Sequence, residues 1–257
     1  MTTTTDASGS ASATAGVRRA DVCCVAIAEC FRGDGEIVAN PIGTIPRIGG
    51  LLARASFEPD LVMTDGEAMF SNADGVVEAW NPYRSMFDVV WSGRRHVIMG
   101  GSQIDAMGNQ NFAAIGDMKH PKVQLLGFRG APGNTANNVT SYWVPAHGPR
   151  VLVPQVDVVT GIGYDRAAAA GAAATRYHSV RFVVTNLAVL DFETPDHRMQ
   201  LRSVHPGVTV DDVVAATGFE LVVPADVPES RTPTEAELAL LEQIDPAGER
   251  FAEVPDA

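Results

Sequence analysis

Lysine is almost absent from this sequence. Only Lys119 and Lys122 occur among 257 residues, and the formal net charge is −12 at pH 7. A protein that follows a nucleic-acid backbone needs a face of basic side chains that neutralises many phosphates. We therefore expect no nucleic-acid partner. A few arginines, such as Arg94 and Arg95 beside His96, can still hold a small anion through their fork-shaped donors.

Cysteine, long apolar runs and signal-like features are also scarce. Cys23, Cys24 and Cys30 lie in one short stretch, with no CxxC and no paired Cys/His spacing, so we predict no metal site and expect reduced thiols in a cytoplasmic protein. No apolar run approaches the roughly 20 residues of a membrane span. Residues 1–17, rich in Thr, Ser, Ala and Gly, lack the features of a secretory signal, and we expect a disordered lead-in before one domain over 18–257.

Short apolar runs that end in Gly, Thr or Pro alternate with helical patterns. The pattern predicts an α/β fold, an open, mostly parallel sheet flanked by helices. The predicted strands are 36–39, 61–65, 96–101, 122–127, 150–154, 156–160, 179–185, 187–192 and 199–207. The predicted helices are 21–33, a short helix that ends near Phe57, one opened by Thr209 and closed by Gly218, and one opened by a capping box over 232–235. We expect the tail 248–257 to be an extended arm.

Ligands of open α/β sheets bind at the carboxyl ends of the strands. Four segments follow predicted strands in this way: 64–67, 100–111, 127–138 and 160–164. The segment 100–111, GGSQIDAMGNQN, has the Gly and Asn content of a tight turn and is either a structural turn or a loop of free amides.

The segment 127–138, GFRGAPGNTANN, is the stronger candidate for binding. Its glycines bring backbone N–H groups close to an anion or oxyanion, and an arginine adds a permanent donor. Neither the Walker ending nor the GxGxxG spacing is present. The candidate binding residues are Arg129, Gly130, Gly133 and Asn134. The alternative is a flexible surface turn with a solvated arginine.

The segment LVMTDGEAMF places two carboxylates beside a glycine after an apolar run. Asp65 and Glu67 lie two residues apart and point to the same side of an extended chain. Paired carboxylates can divide acid–base work. Alternatively, Asp65 accepts backbone N–H bonds in a turn and Glu67 faces solvent or pairs with an arginine. Thr64, Asp65 and Glu67 are the catalytic candidates of this chain.

Several motifs together resemble the class I CoA-transferases, of the glutaconate CoA-transferase beta-subunit type. They include GGSQIDAMGNQN, IGDMKHPKVQLLG, VDVVTGIGY, FVVTNLAVLDF and HPGVTVDDVVAATGF, and the likeness runs from about Asp21 to the end of the chain. The resemblance implies an open α/β sheet and an alpha subunit that completes the active site. The family attacks acyl-CoA with a glutamate followed by Ser-Gly. This sequence reads Thr64-Asp65-Gly66, so Thr64 stands where the nucleophile is expected, and a hydroxyl cannot form that thioester.

A closer resemblance, through LVMTDGEA, GRRHVIMGGSQIDAMGNQN and GFRGAPGNT, is to the beta subunits of actinobacterial hydrolases that cleave the last cholesterol-derived ring. It implies hydrolytic, retro-Claisen-type C–C cleavage of a cyclic keto acyl-CoA thioester in steroid catabolism. It further implies an alpha2beta2 assembly with the glutamate base on the alpha chain, and no cofactor, because coenzyme A belongs to the substrate. Arg129 then binds the free carboxylate of the substrate.

Two other interpretations stay open at this point. The chain is a true CoA-transferase subunit that uses Asp65 or Glu67 as its nucleophile, or it is a non-catalytic scaffold for its alpha partner. The six histidines show no HExxH or GxSxG frame, so we assign them no role.

Overall fold

A computed structural model describes residues 16–64, 69–72, 74–82, 85, 88, 94–127 and 130–255. The described strands are β1 (Val38–Pro41), β2 (Val62–Thr64), β3 (Met69–Ser71), β4 (Val77–Trp80), β5 (Arg95–Met99), β6 (Gln103–Ile104), β7 (Gln110–Asn111), β8 (Ala114–Ile115), β9 (Val123–Gln124), β10 (Val139–Val144), β11 (Ser179–Thr185), β12 (Ala188–Asp191) and β13 (Gln200–Val204). The described helices are α1 (Arg19–Cys30), α2 (Thr44–Ser56), α3 (Ala131–Asn137), α4 (Tyr164–Ala170), α5 (Ala172–Thr175), α6 (Val210–Ala216), α7 (Glu235–Ile244) and α8 (Glu249–Glu253).

Nine of these strands form one sheet in the order β13-β12-β11-β10-β5-β1-β2-β3-β4. The five central strands, β11 to β2 in that order, are parallel, and antiparallel strands extend the sheet on both sides. Every residue of β5 is buried, as expected for a parallel strand covered on both faces. The predicted α/β fold with a mostly parallel central sheet is confirmed.

Two hydrophobic cores lie on opposite faces of this sheet. Because side chains alternate along a strand, Val97 and Ile98 of β5 enter different cores. Ile98 packs with α1, α2 and α7, whereas Val97 packs with Ala131 of α3. We call these the α1 face and the α3 face. Both faces are closed, so the strand ends are where polar side chains can collect.

Several predicted boundaries were wrong. The helix that ends near Phe57 is longer than the short one predicted, because α2 begins at Thr44. The predicted strands 150–154 and 156–160 contribute only isolated bridges, such as the one between Ile104 and Leu152. The run 122–127 forms only β9, an exposed strand in a small hairpin with β8. Apolar content alone could not separate these segments from strands of the central sheet.

The ends of the helices also differ in detail. The last helix-start signal lies two residues later than predicted, since Thr234 is the N-cap of α7 and Glu237 completes the box. Asp21 acts from the third position of α1, where its carboxylate accepts the Arg18 N–H at 2.9 Å. The tail forms α8 rather than an extended arm. The predicted lead-in 1–17 lies mostly outside the described residues, which begin at Gly16. No described helix has both the length and the apolar character needed to cross a bilayer.

Candidate functional site

Three of the four predicted segments, 100–111, 127–138 and 160–164, meet on the α3 face. Backbone bonds join 100–111 to 160–164: the Thr160 N–H donates to the Gln110 carbonyl at 2.8 Å, and the Gln110 N–H donates to the Gly161 carbonyl at 2.9 Å. The middle segment joins through Thr135 of α3, whose hydroxyl accepts the Ile162 N–H at 3.0 Å. Segments far apart in sequence therefore form one hydrogen-bonded junction against the sheet.

Two glycines make this junction possible. A Cβ on Gly161 would lie 2.9 Å from the Thr135 methyl group, and one on Gly163 would lie 2.3 Å from the Met107 carbonyl oxygen. Any side chain there would force the segments apart. The glycine-rich character of 160–164 thus reflects close approach of backbones within the junction.

A neutral amide links the turn in 100–111 to the start of α4. The Asn109 amide donates to both oxygens of Asp105, at 3.1 and 3.2 Å, and to Asp165 at 2.8 Å. Its own oxygen accepts the Gly163 N–H at 2.8 Å. Burial raises the pKa of Asp105 above its ordinary value, against the opposing effect of these bonds. The side chains of Asp105 and Asn109 therefore hold the segment 100–111 as a structural turn, which is one of the two interpretations given for it.

The glycine-rich segment 127–138 contains a short helix rather than only a loop. Gly130 precedes α3, and Pro132 stands in its first turn, where its missing N–H costs no helical bond. The first turn of any helix presents N–H groups that have no acceptor within the helix. Here Ala131 and Gly133 carry such groups, so the segment can offer backbone donors to an anion.

The side chain of Asn134 is committed to the protein itself. It is buried, its oxygen accepts a hydrogen bond from Arg95, and its amide nitrogen lies 3.6 Å from the Met99 sulfur. Both partners come from β5, directly beneath the helix. This contact holds α3 against the sheet, so any contribution of Asn134 to binding would come through its neighbours in the segment.

Arg95, which the sequence predicts as one of the arginines that can hold a small anion, is buried at this site and bonds to Asn134. It is 4% exposed, burial lowers its pKa to about 10, and its Nε has no hydrogen-bond partner. Among the described residues no carboxylate forms an ion pair with it. An arginine at the start of a strand gives no sign in sequence that its side chain will turn inward under a helix.

Thr64 lies on the same face of the sheet, but its hydroxyl is hydrogen-bonded to the neighbouring strand β1. Its hydroxyl accepts from the Asn40 amide at 3.0 Å and donates to the Ala39 carbonyl at 3.2 Å. Asn40 is paired across β1 and β5 with Val97, which packs against Ala131. Two strand spacings, roughly 10 Å, therefore separate the backbone of Thr64 from the strand under α3.

Three predicted site residues, Asp65, Glu67 and Arg129, lie outside the described residues. Their flanks are placed: Thr64 ends β2, and Gly127 donates its N–H to the Phe112 carbonyl at 3.0 Å. The roles predicted for these three side chains stay predictions.

A serine–histidine–aspartate chain occurs on the α1 face. The His96 Nδ1–H donates to Asp34 at 2.6 Å, and its Nε2 accepts from the Ser141 hydroxyl at 3.0 Å. Such bonds are shared with hydrolytic triads. Here Ser141 and His96 are completely buried, so no substrate reaches the hydroxyl, and the chain instead ties two strands to the α1–β1 loop. No group of three or more potential metal ligands occurs among the described residues.

Comparison with known proteins agrees with this geometry. The family model described as coenzyme A transferase matches residues 85–216. The chain is 49% identical to the cholesterol ring-cleaving hydrolase IpdB subunit of Rhodococcus jostii (strain RHA1), over 93% of this chain and 96% of the relative. It is 29% identical to a glutaconate CoA-transferase subunit of Acidaminococcus fermentans, over 86% and 90% of the two chains.

The solved structure of Rhodococcus jostii RHA1 IpdAB superimposes with a TM-score of 0.88 at 48% identity and covers 93% of this chain and 99% of that one. The residues matched by the family model, 85–216, include all the segments of the junction. The resemblance stated from the motifs is confirmed.

Proposed function

Because this chain belongs to the coenzyme A transferase family and, within it, to the cholesterol ring-cleaving hydrolase IpdB subunits, we propose that it is the beta subunit of a heteromeric hydrolase. The enzyme would open the last steroid-derived ring of a cyclic keto acyl-CoA thioester by hydrolytic C–C cleavage. An alpha subunit would complete an alpha2beta2 assembly, as the paired subunits in the structure of the IpdAB relative suggest. The single observation that carries the proposal is the 49% identity along 93% of the chain.

The chemistry divides naturally between two subunits. Hydrolytic opening next to a ketone needs a base that activates water and donors that stabilise the developing oxyanion or enolate. We assign the base to a glutamate of the alpha subunit. This chain would supply the donors, through the first-turn N–H groups of Ala131 and Gly133 and the guanidinium of Arg129. Coenzyme A would enter as part of the substrate, and no further cofactor is proposed.

The environment of Thr64 supports hydrolysis over CoA transfer. A transferase needs a carboxylate that attacks the thioester and forms an acyl–enzyme anhydride and then an enzyme–CoA thioester. Thr64 occupies the expected position, and its hydroxyl is buried in bonds to Asn40 and Ala39. A side chain held in this way neither carries the leaving group nor reaches an acyl carbon without breaking two bonds.

The test is purification together with the alpha subunit encoded beside it, followed by two assays on the same sample. We expect acyl-CoA ring opening and no transfer of CoA to a carboxylate acceptor. Trapping with hydroxylamine or borohydride during turnover should leave residues 64–67 unmodified. A covalent adduct at Asp65 or Glu67, with CoA transfer, would establish the transferase alternative.

The role of Arg129 has its own test. Replacement by alanine in the complex should lower kcat/KM by about tenfold to a hundredfold, because one bidentate ion pair with the substrate carboxylate is lost. Arg166→Ala is the matched control, since Arg166 is half-exposed and its nearest carboxylate is 4.0 Å away. An unchanged kcat/KM for Arg129→Ala would remove the clamp from the proposal.

The scaffold alternative makes the opposite prediction: no substitution at Thr64, Asp65 or Arg129 changes turnover once the complex is assembled. We also propose that the enzyme acts in the cytoplasm. The support is the three free, buried cysteines, since oxidising compartments favour paired ones.

A further inference from the structure

A cavity of about 410 Å³ lies on the α1 face, away from α3 and the rest of the segment 127–138. Its floor is apolar and comes from the sheet and from α1, through side chains such as Phe182, Val189 and Val25. Four arginines line it: Arg32, Arg181, Arg202 and Arg231. Small-molecule sites have this size and this combination of apolar walls with a few charged groups.

The charge of the lining is more positive than that of the surrounding protein. Glu29 is the one carboxylate among the described lining residues, against four guanidinium groups. Arg181 pairs with Asp34 at 2.6 Å and Arg202 with Asp191 at 3.1 Å, and both carboxylates are buried and do not line the cavity. The positive ends of these two ion pairs thus face the cavity while their negative ends lie in the protein. Arg202 also pairs with the exposed Glu193 at 3.3 Å, and Glu193 does not line the cavity.

Arg181 and Arg202 have donors left over. Each forms its ion pairs through Nη1 alone, so the Nε and Nη2 groups of both are available as far as the described contacts show. Arg32 and Arg231, by contrast, use two and three nitrogens on carboxylates and carbonyl groups. Arg181 and Arg202 are 36% and 46% exposed, so a ligand can reach them.

A local irregularity of the sheet aims Arg181 into this space. In the β10–β11 ladder Thr140 pairs with Val180 but Tyr142 pairs with Val183, so one extra residue is inserted. A bulge of this kind places two neighbouring side chains on one side of a strand and is common beside functional sites. Here the two are Arg181 and Phe182, a guanidinium next to an aromatic ring, with Arg202 lying 5.4 Å above that ring.

We propose that this cavity binds a small amphipathic carboxylate, with its anionic group between Arg181 and Arg202 and its apolar body on Phe182 and Val189. The guanidinium groups of Arg181 and Arg202 are already fixed by buried carboxylates, so they lose little conformational freedom when a ligand binds. Their planar arrangement of N–H donors suits a carboxylate. The apolar floor excludes a bare inorganic anion as the natural occupant. The inference does not depend on the proposed hydrolysis.

Calorimetric titration of the purified complex with octanoate tests the site. We expect saturable binding of one octanoate per chain, and little or no binding of octanol, which lacks the charge, or of inorganic phosphate, which lacks the apolar body. Arg181→Lys and Arg202→Lys each keep a charge for the buried carboxylate but remove the fork, and each should raise the dissociation constant about tenfold.

Two further variants distinguish binding in this cavity from non-specific binding of octanoate. Val189→Trp fills the floor and should abolish octanoate binding, whereas Arg198→Lys, on a partly exposed arginine outside the cavity, should leave it unchanged. Equal binding of octanol, equal competition by phosphate, or lysine variants that bind octanoate as the unsubstituted protein does would each overturn the proposal. Absence of saturable binding at millimolar octanoate would also overturn it, while ring-opening activity in the same sample would leave the proposed function standing.

Discussion

The two faces of the sheet are joined to the rest of the chain by different kinds of polar contact. On the α3 face, the junction of the candidate site is made mainly by backbone groups, hydroxyls and amides, such as those of Thr135 and Asn109. On the α1 face, buried charges predominate, with Arg250 as the largest completely buried side chain. Neutral bonds do not titrate, whereas ion pairs and buried imidazoles do. The bonds of the junction between backbone groups, hydroxyls and amides therefore hold across a wide range of pH, whereas those from Asn109 to Asp105 and Asp165 involve carboxylates.

The strongest test of this contrast is Arg250→Met. Arg250 pairs with Asp21 at 2.8 Å and with Asp245 at 3.0 Å, and all three side chains are buried. Methionine leaves two buried carboxylates without their cationic partner, so we expect a loss of about 3–5 kcal/mol in the free energy of unfolding, measured in urea. Arg166→Met on the surface should change it by less than about 0.5 kcal/mol. A small effect of Arg250→Met would mean that the charges of the α1 face contribute little.

The second prediction concerns pH and His205. Its Nε2–H donates to the Thr185 carbonyl at 2.9 Å, and its Nδ1 accepts from Ser230 at 2.9 Å. Burial lowers the pKa of His205 to about 4, below the ordinary value of about 6.5. As the pH falls from 6.5 towards 4, this histidine binds a proton in the unfolded chain but stays neutral in the folded one. The free energy of unfolding therefore falls by up to about 3 kcal/mol.

His205→Gln should flatten this slope, and its deficit relative to the unsubstituted protein should shrink by about 2 kcal/mol between pH 7 and pH 5. His120→Gln, at an exposed position, should keep the original slope. Parallel pH curves for His205→Gln and the unsubstituted protein would show that His205 does not control acid sensitivity.

The third prediction weakens the junction on the α3 face. Asn109→Ala removes the amide that joins Asp105, Asp165 and the Gly163 N–H. We expect a cost of about 2 kcal/mol in unfolding free energy, because buried polar partners are left unsatisfied. Hydrogen exchange should rise first in the segments of the junction, and turnover of the complex should fall with it. Asn72→Ala, in a surface turn, should show neither change. Uniform deprotection of the whole chain would mean that the junction is not a separate unit.

The sequence predicted the parts of the fold that depend on local chemistry. The apolar run of β5, the two strands β11 and β12, and the start of a helix at Thr209 all follow from side-chain type and spacing. Of the three segments that meet on the α3 face, only 100–111 follows a strand of the central sheet, so only its position at a strand end could be predicted. The segments 127–138 and 160–164 join it through tertiary contacts.

What the sequence could not show depends on tertiary contact. The segment 127–138 has the composition of a loop because of its glycines and proline, yet β5 beneath it supplies Arg95 and Met99 to hold a helix there. In sequence, Arg95 indicates only a basic group that can hold a small anion. Its burial, like that of Arg250, becomes visible only when a partner from another part of the chain is in place.

The smallest expected effect on stability is at Thr64, where a substitution can separate a structural role of the side chain from a role in the reaction. Thr64→Val keeps the shape of the side chain but removes its bonds to Asn40 and Ala39, so the unfolding free energy should fall by about 1 kcal/mol. Turnover of the assembled complex should change by less than about threefold, because the proposed reaction uses no hydroxyl at this position. Thr64→Ser is the control that keeps the hydroxyl. If valine abolished turnover while serine preserved it, and both complexes were folded, the hydroxyl would belong to the catalytic machinery and the division of labour between the subunits would have to be redrawn.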